Sequence, residues 1–268
     1  MAITTSDGLV AGLANGKKVT FYIPSGTSVV GGWTLLNKLA SSFGALANPV
    51  AFGSGGTTYN KTAGTAGYPF WQTGASSAYL AKMSATFATT GTINIYDVVW
   101  ACSGFNSTTL TAQTVTGFSG LPTRATGGVG LEIWAVGNTI TGATASNITV
   151  SYTNQAATAG RTTVSTAAIA SWPVGRMLPL PLQAGDSGVQ SIQSITFSAS
   201  TGTAGDVGLM ILERIATISA PIVNVANVLD FTQLGLPEIT DSACLMFVHQ
   251  ATTTSTGVIL GDIAIAQG

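Results

Sequence analysis

The chain has 268 residues, of which 46% are hydrophobic and only 7% charged, with a formal net charge of −1. An average soluble domain is roughly 25% charged. Nine scattered basic residues, with only Lys17 and Lys18 adjacent, exclude a phosphate-tracking nucleic-acid groove.

The start, MAITTSDGLVAG, lacks the basic region and apolar core of a signal peptide, so synthesis in the producer's cytoplasm is expected. Asn15-Gly16 is a hairpin signal before the strand KKVTFYIP, whose Val19, Phe21 and Ile23 share a face. Trp33 to Phe43 is the best helix candidate. Trp33, Leu36, Leu39, Ala40 and Phe43 recur at helical spacing, and Gly44 supplies a stop. Residues 53–78 are rich in Gly, Thr and aromatics. Tyr59, Tyr68, Phe70, Trp71 and Tyr79 in and beside this stretch are expected to pack against something, in this subunit or another. Residues 1–87 thus read as an N-terminal extension with a hairpin, one short helix and an aromatic loop.

Residues 88–268 read as short strands separated by Gly, Asn, Ser and Thr. INIYDVVWACSGF and LEIWAVGN are apolar on both alternating faces, as central strands are. NITVSYTNQ alternates, with Ile148, Val150 and Tyr152 on one side and Thr149, Ser151 and Thr153 on the other. RTTVSTAAIAS, SIQSITFSAS, DVGLMILERIA, SACLMFVHQ and GVILGDIAIA continue the series. VLDFTQLGLPEI reads as a short helical turn in a connection. The expected fold is mainly β, an antiparallel β-sandwich with jelly-roll-like order. No window approaches 18 uninterrupted apolar residues, so no membrane span is expected.

With so few charges, the polar surface must come from Thr, Ser, Asn and Gln. Hydroxyl-rich β-branched surfaces suit pleated sheets and cost little to desolvate. No charged residue lies between Asp97 and Arg124, or between Glu132 and Arg161. Strands there are either internal to a sheet or covered by a partner, because exposed edges are usually guarded by charge.

No catalytic constellation is complete. Gly185-Asp186-Ser187-Gly188 resembles the nucleophile segment of chymotrypsin-like proteases, but Val189 stands where that family has Gly. The lone histidine, His249, follows the serine, where that family places it before. The segment reads better as a polar turn. Cys102, Cys244 and His249 are too few for a structural zinc site, and Cys244 and His249, five apart, point to opposite faces of a strand. Asp186, Asp206, Asp241 and Asp262 sit in turn-like contexts. Asp97 and Glu132 can each pair with an Arg. Gly12 to Lys18 falls one residue short of a phosphate loop and leads into a strand. The expectation is a non-enzymatic protein without cofactor, catalytic residue or metal.

NITVSYTNQAATAGRTT, GDSGVQSIQSITFSASTGTAGDVGLMILERIA and CLMFVHQATTTSTGVILGDIAIAQG, with the Met-Ala-Ile-Thr start, resemble structural virion proteins of tailed bacteriophages. The resemblance spans most of residues 88–268 and includes proteins encoded among head genes. It implies a capsid decoration or cement protein on the virion surface, a homo-oligomer, with a trimer favoured, that binds the major capsid protein. A receptor- or carbohydrate-binding fibre module, with Tyr68, Trp71 and Tyr79 as sugar platform, is the alternative. A tail-tube or coat subunit is a further one. Trp33, Phe43, Tyr59, Tyr68, Phe70, Trp71 and Tyr79 are the candidate interface residues.

Overall fold

The computed structural model describes residues 3–36, 54–58, 77–118, 120–165, 168–240 and 242–268. The fold is mainly β with antiparallel sheets, as the alternation and turn spacing require. In chain order the elements are α1 (Ser6–Asn15), β1 (Lys17–Ile23), β2 (Trp33–Leu35), β3 (Thr57–Thr58), β4 (Ala78–Phe87), β5 (Gly91–Asn106), β6 (Gln113–Thr114), β7 (Leu131–Gly137) and β8 (Ser146–Asn154). They continue with β9 (Arg161–Thr162), β10 (Ala168–Ile169), β11 (Arg176–Leu180), β12 (Val189–Phe197), β13 (Asp206–Ala220), β14 (Asn227–Leu229), α2 (Phe231–Leu234), β15 (Glu238–Ile239), β16 (Leu245–Ala251) and β17 (Ile259–Gln267). The chain divides into two compact units, one of residues 1–46, 61–96 and 215–268, the other of 47–60 and 97–214.

In the first unit, a sheet in the order β1-β17-β4-β14 carries β15 as a further partner of β4. The register runs Lys17 against Ile265 to Ile23 against Ile259, and Ile259 against Phe87 to Gln267 against Ala78, with a bulge at Ala264/Ile265. Alternation puts Phe21, Ile23, Met83, Phe87, Ile259 and Ile263 on the inner face. They pack with Ile93 and Ile95 of β5, Ile218 of β13, and Leu245 and Phe247 of β16. The Phe21 and Phe247 rings lie 5.2 Å apart. Burying each such side chain contributes roughly 1.5–3 kcal/mol.

Helix α1 lies on the outer face of this sheet. The Thr5 hydroxyl accepts the Gly8 N–H and starts the helix, and Asp7 sits in its first turn. Leu9 packs with Ala81 and Ala266. Gly12 and Gly16 permit the approach: a Cβ on Gly16 would collide with the Ile265 carbonyl, and one on Gly12 would crowd the Gln267 carbonyl. These glycines thus serve helix–strand packing.

In the second unit, a sheet in the order β10-β8-β12-β6, with β9 also on β8, faces residues of β5, β7 and β13. Ile148, Val150 and Tyr152 of β8 and Ile192, Ile195 and Phe197 of β12 bury one face against Val99, Ile133, Ala135, Leu209 and Ile211. The intervening β8 residues 149, 151 and 153 are half-buried, as the alternation predicts. β7 and β8, which fill the charge-free window 133–160, each have strands on both sides, so internal position explains their lack of guards.

Three sequence expectations need correction. The helix predicted over 33–43 does not begin at Trp33: Trp33–Leu35 is strand β2, because Val248–Gln250 of β16 offers it a hydrogen-bonding edge. Residues 37–43 lie outside the described residues. Asn15-Gly16 is not a hairpin turn but the end of α1 and the entry to β1. The boundary placed at 87/88 falls inside the segment 61–96 of the first unit, and β1 and β4 flank β17, so residues 1–87 share a sheet with the C-terminal strand. Among the described residues, RTTVSTAAIAS forms the short pieces β9 and β10. The helical turn in VLDFTQLGLPEI is α2: Asp230 and Gln233 form a capping box, and Gly235 ends it in the left-handed region.

Candidate functional site

In the protease-like segment, Asp186 is the centre of a hydrogen-bonded cluster. The Asp186 carboxylate accepts Arg161 Nε at 2.9 Å and Nη2 at 3.1 Å, the Tyr152 hydroxyl at 2.5 Å and Asn154 Nδ2 at 2.7 Å. The Tyr152 oxygen in turn accepts the Gln183 N–H at 2.8 Å. Arg161 above all, then the Tyr152 and Asn154 hydrogen bonds, hold the Asp186 carboxyl down at about 2. Burial, followed by donation to Asp186, pushes the Tyr152 phenol up to about 12. The cluster pins the loop before β12 to β8 and β9. Ser187 beside it is exposed, and its backbone N–H donates to Gln155 Oε1 at 3.0 Å. His249 belongs to the other unit. Ser187→Ala is therefore expected to change stability by no more than about 0.5 kcal/mol. A shift in the urea midpoint above that, or loss of a peptidase signal, would contradict the structural role.

Asp97 and Glu132 are paired as their strand contexts suggest. Arg124 grips Asp97 through Nε at 2.6 Å and Nη2 at 3.1 Å, and its Nη2 also donates to the Val98 carbonyl. Both side chains are 3% exposed. Glu213 titrates above its ordinary range because of burial first and the Asp97 charge second, with Arg124 opposing. Glu132 pairs with Arg214 at 2.9 Å and accepts the Trp134 indole N–H at 2.9 Å. Of the turn acids, Asp206 accepts the Gly104 N–H and Asp262 accepts the Ser84 hydroxyl beside Lys82, while Asp241 lies outside the described residues.

His249 is fully buried in β16, opposite Thr34 of β2, with its ring stacked 6.1 Å from Phe87 and its Nε2 against Gly91. Neither ring nitrogen has a hydrogen-bond partner. Burial lowers its pKa to about 4. Both cysteines are buried and neither is in a disulfide, and burial drives the Cys102 thiol far up. Among the described residues, no three His, Cys, Asp or Glu side chains converge as metal ligands, and no helix is long and apolar enough to cross a membrane.

Of the candidate interface residues, Trp33 is half-buried on β2 and Tyr79 half-buried on β4, in different sheets of the first unit. Phe43, Tyr59, Tyr68, Phe70 and Trp71 lie outside the described residues. The strongest surface feature is one that residue spacing missed. Leu13, Tyr22, Ile222, Val223, Val225, Val228, Phe231 and Leu260 are exposed, all in the first unit. Leu13 and Phe231 wall a groove between α1 and α2 whose rim holds Lys18, Lys82, Asp230 and Asp262. Strand alternation could have flagged Tyr22 and Leu260, which oppose the inward Phe21 and Ile259.

No protein-family model matches the chain, and no curated protein matches its sequence. Among solved structures, the infectious bursal disease virus Gt strain shares 10% identity at a TM-score of 0.21, over 94% of this chain and 81% of that one. The VP2 subviral particle of infectious bursal disease virus shares 11% identity at 0.18, over 94% and 81%. The T=1 particles derived from infectious bursal virus share 11% at 0.19, over 94% and 78%. At TM-scores this low the likeness carries no inference about role.

Proposed function

We propose that this chain is a structural subunit of a virion, acting as a decoration or cement protein on a phage head. The observation that carries the reading is the surface. Two of the ion pairs, Asp97–Arg124 and Arg161–Asp186, are turned to internal fastening, while fourteen large apolar side chains among the described residues stay exposed. Such a surface loses little on desolvation and favours association. The resemblance of residues 88–268 to tailed-phage virion proteins supports the same role. The role is mechanical, not catalytic: copies of the chain associate with one another and bridge major capsid subunits, and many weak contacts add through multivalency.

The test is immunogold labelling of virions through a tag on this protein, viewed by negative stain. Label over the head is the expected result. Label along the tail, or at its tip, or none at all, would overturn the decoration role.

A further inference from the structure

We infer that the junction of segments 24–32, 88–91 and 251–258 in the first unit is an acid-triggered latch, whose segments part and admit water when the buried His249 imidazole gains a proton. The inference goes beyond the virion role and does not depend on it.

The segments are fastened mainly by polar contacts. The Ala88 N–H donates to the Val258 carbonyl at 2.9 Å, and the Thr256 N–H to the Gly26 carbonyl at 2.9 Å. The Ser28 N–H donates to the Thr254 carbonyl at 3.0 Å, and the Gly31 N–H to the Ala251 carbonyl at 2.8 Å. Hydroxyls add to these: Thr252 donates to the Thr90 carbonyl at 2.8 Å, Ser28 to the Thr253 carbonyl at 2.8 Å and Thr89 to the Thr256 carbonyl at 2.9 Å. The stretch Thr252–Gly257 holds no large apolar side chain, and Thr252, Thr253 and Thr254 are exposed. Water can replace such hydrogen bonds at little net cost. A segment with few buried apolar contacts opens locally more readily than a core strand.

His249 lies against this junction. A Cβ on Gly91 would stand 2.3 Å from its Nε2 and 2.8 Å from the Gln250 carbonyl, so only the bare glycine fits between ring and junction. On another side the ring stacks on Phe87, an inner-face residue of β4. Neither nitrogen has a hydrogen-bond partner. A neutral ring bears this burial. An imidazolium, with two N–H donors and a full charge, does not bear it without water or an anion.

No anion is at hand. The three segments, β2 and the rest of β16 hold no titratable side chain. β4 carries Tyr79 and Lys82, and β5 carries Tyr96, Asp97 and Cys102. Lys82 pairs with Asp262, and Asp97 with Arg124. Burial is the one cause that moves the imidazole, which resists protonation down to about 4. Once the junction opens, the ring binds its proton near the ordinary value of about 6.5. Between those limits the open population rises about tenfold for each pH unit lost.

Hydrogen exchange of the full chain, corrected for the intrinsic rate at each pH, is the test. Protection of the Ser28, Gly31, Ala88 and Thr256 amides should fall about tenfold per pH unit between about 6.5 and 4. Their exchange should depend little on urea, whereas β8 and β12 amides should be slower at every pH and show the full urea dependence of global unfolding. His249→Gln, uncharged throughout, should make the protection of the four amides independent of pH. Wild-type protection that stays level with pH would overturn the inference, as would a fall that persists in His249→Gln. So would a fall with the full urea dependence of β8 and β12, which would mean unfolding of the whole chain. If His249→Gln does not fold, the wild-type slope and urea dependence decide by themselves.

Discussion

Arg124→Met is expected to lower the unfolding free energy by about 3–5 kcal/mol, the largest effect of any single substitution considered. Arg124 leaves the short turn Thr123–Ala125 and reaches Asp97 on β5, and both side chains are almost fully removed from water. Taking away the guanidinium leaves a buried carboxylate without its counter-charge, beside Glu213, whose own ionisation Asp97 already opposes. It also removes the hydrogen bond to the Val98 carbonyl that ties the connection to the strand. The deficit should shrink as pH falls into the carboxylate range, because protonation removes the stranded charge. Replacing both partners, as in Asp97→Leu with Arg124→Met, should recover most of the loss. Urea unfolding followed by tryptophan fluorescence is the measurement, because Trp100, Trp134 and Trp172 all lie in the unit that holds the pair. A loss below about 1 kcal/mol would mean that the pair behaves like a surface contact.

The second large effect is acid loss of stability through His249. The unfolded chain binds a proton on this ring near the ordinary value of about 6.5, whereas the folded chain resists until about 4. Between those limits the unfolded state holds more protons, so stability falls as pH drops, by up to about 1.4 kcal/mol per unit. The effect is fully developed below about 4 and absent above about 7. The groups that face the ring, Phe87, Gly91 and Thr34, carry no charge that could offset the cost. His249→Leu should flatten this part of the pH profile and hold or raise stability at neutral pH, since two unsatisfied nitrogens leave the core. The chain has one histidine, so its proton resonance can be followed directly. An imidazole titrating near 6.5 in the folded protein would end this account.

How far residue order reveals this molecule depends on how local each signal is. β8 and β12 are legible because one face is buried and alternation follows from the pleat. β5 and the first half of β13 are legible as apolar runs, because both faces are covered there. The turn at Asp230 is legible because its capping pattern is complete within four residues. β4 is not. Its Ala, Ser and Lys residues have weak strand preference, and it extends because β17 and β14 hydrogen-bond to either side. β2 reads as helix for the same reason: its three residues take the conformation that β16 supplies. For the candidate site, Asp97 and Glu132 read as strand acids seeking an arginine, but no spacing identifies Arg124 or Arg214 as the partners. The exposed row of Tyr22 and Leu260 joins residues 238 apart and exists only through their register.

A mainly β, antiparallel, charge-poor protein can be read from residue order alone, because side-chain alternation, turn chemistry and composition act over a few residues. Which strands are neighbours, where Asp97 and Asp186 find their cations, that His249 is buried, and that α1 lies on the sheet emerge only from the packed chain. Those outcomes depend on pairings between distant segments, whose loop-closure cost and burial gain are settled only when the whole chain packs.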